Sequence, residues 1–313
     1  MRNNLEKIDN LLKSKSCFKL VCGAGNENAE EVEKLTFLYS MAGCNIFDVS
    51  ANIDVIKAAK RGIERSEIKD DRFICVSVGI KGDPHVSKAF INSEKCRRCL
   101  KCFSVCPQSA IKSCIVDETK CIGCQKCYRI CAYDALVMKD YPTDLNKILP
   151  EIIKEGVDCI ELHAISDDEE DILEKWQYIN ETFDGIVSVC LDREKLSNEK
   201  LIKRIKTMLE IRNGKPMIVQ ADGCPMSGGV DDYNSTLQAA ACADIVHKAS
   251  LPVYILLSGG TNSKSKELAN LCNVPVNGIA IGSYARKIVK DYLCDKMSFD
   301  EALKIAVELV KSC

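Results

Sequence analysis

Eight cysteines lie in two runs that share one spacing, C-x2-C-x2-C-x3-C. In bacterial dicluster ferredoxins, this spacing places three thiolates on one [4Fe–4S] cluster and the fourth on the other cluster. We therefore expect two [4Fe–4S] clusters. The first ligand set is Cys96, Cys99, Cys102 and Cys131, and the second is Cys106, Cys121, Cys124 and Cys127. Structural zinc is the alternative, but zinc sites mostly use two separated C-x2-C pairs, which tandem runs of four fit poorly.

The cysteine runs lie in a basic segment. Residues 86–139 contain ten lysines and arginines and four acidic residues. A basic setting raises the reduction potential of a cluster and attracts an acidic redox partner. The same residues can instead do no more than offset the negative charge of the clusters, and the sequence leaves both interpretations open. Cys114 lies between the runs and is surplus to the eight expected ligands, and Cys224 is the other isolated thiol of interest.

Composition narrows the classes of function. The 313-residue chain has 43 basic and 45 acidic residues, a balance that argues against a nucleic-acid binder or a membrane-surface protein. No apolar run reaches the roughly 20 residues that a membrane span needs. The charged N-terminus predicts a short amphipathic helix and not a signal peptide, so we expect a cytoplasmic protein. In that reducing compartment, 20 cysteines indicate ligands and buried thiols more than disulfides.

Outside the cysteine segment, short apolar runs alternate with helical patterns. Eight runs are β-rich and apolar on both faces, which is typical of buried parallel strands. They cover residues 18–22, 45–49, 73–78, 159–164, 185–191, 216–221, 252–257 and 278–283. Eight strand–helix units predict an α/β fold, a (β/α)8 TIM-like barrel, with an open doubly wound sheet as the alternative. The expected domains are 1–85 and 140–313 for the barrel, with 86–139 as a dicluster ferredoxin-like insertion after strand three.

Strand ends of such a barrel supply the functional groups. The polar residues expected there are Asp48, His85, His163, Gln220 and Asp222. The histidines suit acid–base work or substrate orientation, although either can equally be a structural residue. Glycine-rich loops after strands seven and eight predict a phosphate site, unless these glycines only make tight turns. Its expected residues are Gly259, Gly260, Gly282, Ser283 and Arg286.

Several segments resemble one family over nearly the whole chain. They are VCGAGN, FLYSMAGCNIFDVSAN, GDPHVSKA, ELH, QADGCPMSGG, LSGGTN and IGSYARK. Together they resemble the light-dependent period protein family, LdpA. That resemblance implies two [4Fe–4S] clusters on the eight cysteines and a role in conveying redox state to a circadian clock. It supplies no catalytic mechanism.

Two functions are compatible with these patterns. The first is a redox sensor or electron relay that acts on a protein partner docked on the basic insertion. The alternative is an oxidoreductase, whose clusters pass electrons to a phosphorylated cofactor or substrate at the barrel mouth. Flavin mononucleotide (FMN) is one such cofactor. Convergent polar groups favour an enzyme, and the family description favours signalling.

Overall fold

The structure is a computed structural model, which describes residues 2–23, 25–68, 71–80, 86–141, 144–194, 196–223 and 230–313. The strands are β1 (Cys17–Val21), β2 (Ile46–Ser50), β3 (Phe73–Gly79), β4 (Ser87–Ile91), β5 (Ile111–Lys112), β6 (Ile115–Val116), β7 (Leu136–Asp140), β8 (Cys159–His163), β9 (Ile186–Leu191), β10 (Met217–Asp222), β11 (Tyr254–Ser258) and β12 (Gly278–Ile281). The helices are α1 (Arg2–Lys13), α2 (Ala29–Ala42), α3 (Ile53–Arg65), α4 (Lys101–Val105), α5 (Lys126–Ile130), α6 (Leu145–Glu155), α7 (Glu169–Thr182), α8 (Asn198–Arg212), α9 (Tyr233–Lys248), α10 (Ser265–Leu271), α11 (Ser283–Ile288), α12 (Lys290–Leu293) and α13 (Phe299–Lys311).

Eight strands close into a barrel in the order β1-β12-β11-β10-β9-β8-β3-β2. Every neighbouring pair is parallel, and β1 pairs with both β12 and β2, which completes the closure. The predicted (β/α)8 barrel is therefore confirmed, and the eight apolar runs are its strands. The open doubly wound alternative is wrong, because an open sheet would leave β1 and β12 as separate edges.

The two faces of each strand differ, because successive side chains of a strand point to opposite sides. On β2, Phe47 and Val49 belong to the large apolar core, whereas Asp48 between them is a buried polar residue. The same alternation places Glu161 between Ile160 and Leu162 on β8. The expectation that the strands are apolar on both faces is wrong for the inner face, where polar side chains meet.

Helix α1 closes one end of the barrel. Its buried residues Ile8 and Leu12 pack on a cluster formed by residues near the strand starts, among them Cys17, Ile46 and Phe73. This end is the N-terminal end of the parallel strands. The C-terminal end, where barrel active sites are built, is the end toward which β3 leads into the inserted segment.

The inserted unit begins at β4 and ends at β7, which pair as an antiparallel ladder from Ser87 opposite Asp140 to Ile91 opposite Leu136. Helices α4 and α5 and the β5–β6 hairpin lie between them in the chain. The unit follows β3 and precedes α6, so it occupies a strand–helix loop of the barrel. No helix of the described residues is long and apolar enough to cross a membrane.

Candidate functional site

The first cysteine set surrounds one cavity in the inserted unit. Cys96, Cys99, Cys102 and Cys131 all line this cavity. Cys102 lies in α4, and Cys131 directly follows α5, so one of the four thiols comes from the second run. The structure thus brings together the four residues that the spacing groups as ligands of one cluster.

The second set surrounds a separate cavity, which is lined by Cys106, Cys121, Cys124 and Cys127. Cys106 directly follows α4, and Cys127 lies in α5. The exchange of the fourth cysteine between the runs is therefore mutual. Each short helix leads from one cavity to the other.

The two cysteine runs are structural repeats, offset by 25 residues. Backbone in the left-handed region recurs at three pairs of positions: Arg98 and Gly123, Leu100 and Gln125, and Ser109 and Asp134. A residue with a Cβ enters this region at a cost of roughly 1–2 kcal/mol, so its recurrence at matched positions is a property of the turns themselves. The chain therefore wraps both cavities in the same way.

The donors around the cavities fit iron–sulfur ligation. Backbone N–H groups approach the thiols, with Ala89 N donating to Cys121 Sγ at 3.4 Å and Ala110 N to Cys106 Sγ at 3.3 Å. Desolvation raises the pKa of Cys131, but hydrogen bonds from three backbone N–H groups outweigh it, and the net pKa lies below its ordinary value. The described lining residues include no carboxylate and no imidazole. Thiolates with such donors are the expected environment of a cubane cluster.

Lys19 on β1 lies at the centre of the barrel interior, and the sequence analysis did not single it out. Its Nζ donates to Glu161 Oε2 at 2.7 Å and to Gln220 Oε1 at 2.8 Å, and it lies 2.9 Å from Asp48 Oδ2. Ser188 donates to the same Glu161 oxygen at 2.6 Å. Asp48 and Gln220, two of the residues expected at the barrel mouth, therefore belong to one buried network around an ammonium group.

The ion pair between Lys19 and Glu161 keeps both side chains charged. Desolvation opposes the charge on Lys19, but Asp48, Cys75 and Glu161 outweigh it and raise its pKa well above the ordinary value. Desolvation likewise raises the pKa of Glu161, yet Lys19 and His163 reverse this and hold it well below its usual range. Ligand atoms of Asp48, Cys75 and Glu161 lie within 4.8 Å of one another, as metal ligands do. Because the Lys19 ammonium already contacts both carboxylates, the network has its cation without a metal ion.

His163 and Asp222 end β8 and β10 and lie near this network. His163 Nε2 is 3.6 Å from Glu161 Oε1, and Cys190 Sγ is 2.6 Å from Asp222 Oδ2. The other carboxylate oxygen of Asp222 is buried and has no hydrogen-bond partner among the described residues. Burial raises the pKa of Asp222 to about 6. His85, expected at the same end, lies outside the described residues.

Replacing Asp222 with asparagine should remove a pH dependence of stability. The folded-state pKa of about 6 exceeds the ordinary value of 3.8, so the native state holds a proton that the unfolded state loses. Its contribution is complete below about pH 4 and is lost as the pH rises toward 7, by on the order of 3 kcal/mol. Urea unfolding, followed by fluorescence of the single buried tryptophan, Trp176, measures it. The free energy of unfolding of the wild type minus that of Asp222→Asn should fall as the pH rises from about 4 to 7. A difference that does not change with pH would refute the prediction.

The loops expected to bind phosphate have contacts within the protein. Gly259 and Gly260 have φ values of +65° and +75°, and a Cβ on Gly259 would lie 2.6 Å from Gly223 N. The close approach of two loops therefore requires glycine at 259. Arg286 donates to the carbonyl oxygen of Cys22, and Gly282 precedes the six-residue helix α11, which begins at Ser283. These contacts agree with the tight-turn interpretation, and a phosphate ligand stays a prediction.

One buried lysine joins the inserted unit to the barrel. Lys88 on β4 donates to the carbonyl oxygen of Cys121 at 2.7 Å and to that of Gly25, in the loop after β1, at 2.7 Å. The same two segments meet again where Glu27 N donates to Thr119 O at 3.1 Å. The surroundings of the second cavity are thus fixed directly to a loop at the C-terminal end of the barrel.

Comparison with known proteins agrees with this geometry. Residues 151–310, just over half of the chain, match the family model described as the Light dependent period A C-terminal domain. Residues 89–112 match the 4Fe-4S binding domain. A curated relative, Light dependent period A of Synechococcus elongatus, is 27% identical over 290 residues, which cover 88% of this chain and 82% of the relative.

Two solved structures match nearly the whole chain at low identity. Mycobacterium tuberculosis tryptophan synthase matches with a TM-score of 0.49 and 11% identity, covering 98% of this chain and 97% of that chain. (S)-3-O-geranylgeranylglyceryl phosphate synthase from Thermoplasma acidophilum matches with a TM-score of 0.48 and 12% identity, covering 99% and 98%. The fold of this chain therefore rests on the order of its own barrel strands and not on these matches.

Proposed function

Because the chain belongs to the Light dependent period A family and is an iron–sulfur protein, we propose that it carries two [4Fe–4S] clusters and serves as a redox sensor or electron relay. The ligand sets are the two groups of four cysteines that line separate cavities. A bound [4Fe–4S] cluster takes up and releases electrons. The protein contributes the ligands, the local charge and a connection to the barrel.

The observation that carries this proposal is the contact made by Lys88. This side chain is 7% exposed, and it joins the carbonyl oxygen of Cys121 to that of Gly25. A buried cation held by two carbonyl oxygens is sensitive to charge on either side, because the local dielectric constant is low. A change of charge at the second cysteine set would therefore alter the electrostatic interactions of the loop after β1 through Lys88.

The inserted unit also has the surface that a protein partner needs. Of the 13 exposed large apolar side chains among the described residues, nine lie between residues 90 and 141, so the apolar surface is concentrated there. Leu100 and Phe103 are about half exposed beside the exposed basic residues Arg97, Arg98 and Lys101. Exposed apolar groups with basic neighbours favour a partner that presents both apolar and acidic residues. We propose an acidic redox protein as the partner.

Hydrogen exchange under anaerobic conditions separates sensing from relay. The protein is compared in the oxidised and dithionite-reduced states, and exchange is followed in peptides that cover residues 17–28. A redox-dependent change in this segment supports sensing. Unchanged exchange with electron transfer to an acidic acceptor protein supports relay. If the protein accepts no electrons at all, the proposal fails in both forms.

Replacing Lys88 with methionine should lower the reduction potential of the cluster in the second set. Reduction adds negative charge, and the lysine ammonium stabilises that charge from beside Cys121. We expect a fall on the order of 50 mV, with the cluster of the first set unchanged. An EPR-monitored redox titration measures both potentials. Lys88→Arg keeps the charge and serves as the control, and equal potentials in the wild-type and methionine proteins would contradict the coupling.

The oxidoreductase alternative has support in the barrel interior. Asp222 combines a pKa of about 6 with a buried oxygen that has no hydrogen-bond partner among the described residues. A carboxyl group that titrates near neutral pH is suited to general acid–base catalysis. Acid release followed by fluorescence would detect bound FMN. Released flavin, together with turnover that Asp222→Asn abolishes, would favour the oxidoreductase over the redox sensor or relay.

A further inference from the structure

The cavity of the first cysteine set contains a fifth cysteine. Cys114 lines the same cavity as Cys96, Cys99, Cys102 and Cys131, and of these four thiols Cys96 acts on it most strongly. Among the described residues, four cysteines line the second cavity. Five thiols around one cavity are one more than a [4Fe–4S] cluster uses, so one thiol is in reserve.

The backbone holds Cys114 at this position. It is the second residue of the two-residue turn between β5 and β6, after Ser113, and both residues have positive φ, +48° and +60°. Such a hairpin turn favours Asn-Gly, because both of its residues must adopt the left-handed region. A short turn of this kind leaves Cys114 little freedom to move away from Cys96.

The cysteines of the first set are also less buried than those of the second. Cys99 is exposed, as are Arg97 and Arg98 beside it, whereas Cys127 of the second set is buried. Oxidants and competing chelators reach an exposed ligand first. The spare thiol therefore lies at the site where a ligand is more easily lost.

We propose that Cys114 is a reserve ligand of the first cluster and replaces Cys96 at the iron that Cys96 holds. This inference rests on the cluster-binding part of the proposed function. In the exchange, the Cys114 thiol gives its proton to solvent, and its sulfur forms the new bond to iron. The bond from iron to Cys96 breaks, and the released thiolate takes up a proton. No electron is transferred, so the exchange needs no oxidant or reductant.

Alanine variants of the two cysteines test the proposal. Wild type, Cys96→Ala, Cys114→Ala and the double variant are purified without oxygen, and their [4Fe–4S] clusters are counted by EPR spin integration after reduction. We expect about two clusters per chain in both single variants and about one in the double variant. The matched control is Cys121→Ala, which opens the other run at the same position and should lose one cluster, because no fifth thiol of the described part of the chain lines that cavity.

Each other result overturns the reserve role. Loss of one cluster in Cys96→Ala, equal to the loss in the double variant, would show that Cys114 does not replace Cys96. Loss in Cys114→Ala would make Cys114 an obligatory ligand. A wild type without two clusters would instead refute the proposed function, which keeps the two failures distinct. Trp176 fluorescence confirms that the barrel is folded, and Cys96→Ser repeats the test with a smaller change of side chain.

Discussion

Replacing Cys106 with alanine should remove the cluster of the second set, although Cys106 belongs to the first cysteine run of the sequence. Its side chain lines the same cavity as Cys121, Cys124 and Cys127. In a ferredoxin-type site four cysteine thiolates hold the [4Fe–4S] cluster, so removing one leaves an iron without its protein ligand and we expect the cluster to be lost. EPR spin integration of the reduced, anaerobic protein should fall from about two [4Fe–4S] clusters to about one.

Double variants identify which cluster is lost. Cys106→Ala combined with Cys121→Ala removes two ligands of one cluster, so about one cluster should survive. Combined with Cys99→Ala, it removes one ligand from each cluster, and none should survive. If the ligands instead followed the order of the sequence, these two results would be reversed. Cys99 is used here instead of Cys96 because the reserve role proposed for Cys114 concerns Cys96.

Replacing Lys19 with methionine should destabilise the barrel by about 3–5 kcal/mol. The variant leaves Asp48 and Glu161 buried without their cation, and breaking a buried ion pair from one side costs more than the pair contributes. The two carboxyl groups would then have raised pKa values in the folded state. Such groups lower stability as the pH rises, so the loss should be larger at pH 7 than at pH 5. Urea unfolding followed by Trp176 fluorescence measures it.

Two controls separate this effect from the loss of a lysine as such. Lys13→Met removes an exposed pair with Asp9, and pairs of that kind contribute about 1 kcal/mol or less. Adding Glu161→Gln to Lys19→Met removes one uncompensated charge and should restore part of the stability. Equal losses in Lys13→Met and Lys19→Met would show that the interior network contributes no more than a surface pair.

Residue spacing predicted much of the fold. Short apolar runs marked all eight barrel strands, because burial beneath the helices requires apolar side chains on the outer face of each strand. Hydrophobic periodicity did not reveal the polar side chains of the inner face. A single lysine or glutamate inside an apolar run changes the mean hydropathy of that run only a little. Lys19 was missed for this reason. Its signal was a single charged residue in the middle of a five-residue strand.

The site could be predicted as far as local spacing determines it. Cysteine spacing grouped the eight thiols that line the two cavities. It could not show that Cys114 reaches the first cavity, because that contact depends on a hairpin turn whose residues are unusual for it. Nor could it show Lys88, whose partners Gly25 and Cys121 are 63 and 33 residues away. Contacts of that range depend on how the inserted unit sits on the barrel.

The ladder of β4 and β7 brings the two ends of the inserted unit together. Ser87 and Asp140 lie side by side at its base, so the chain leaves and rejoins the barrel at nearly one point. A segment with adjacent ends places no demand on the spacing between β3 and α6. The length and content of the insertion can therefore vary while the barrel stays closed. Gain or loss of the whole segment would leave the order of the eight barrel strands unchanged.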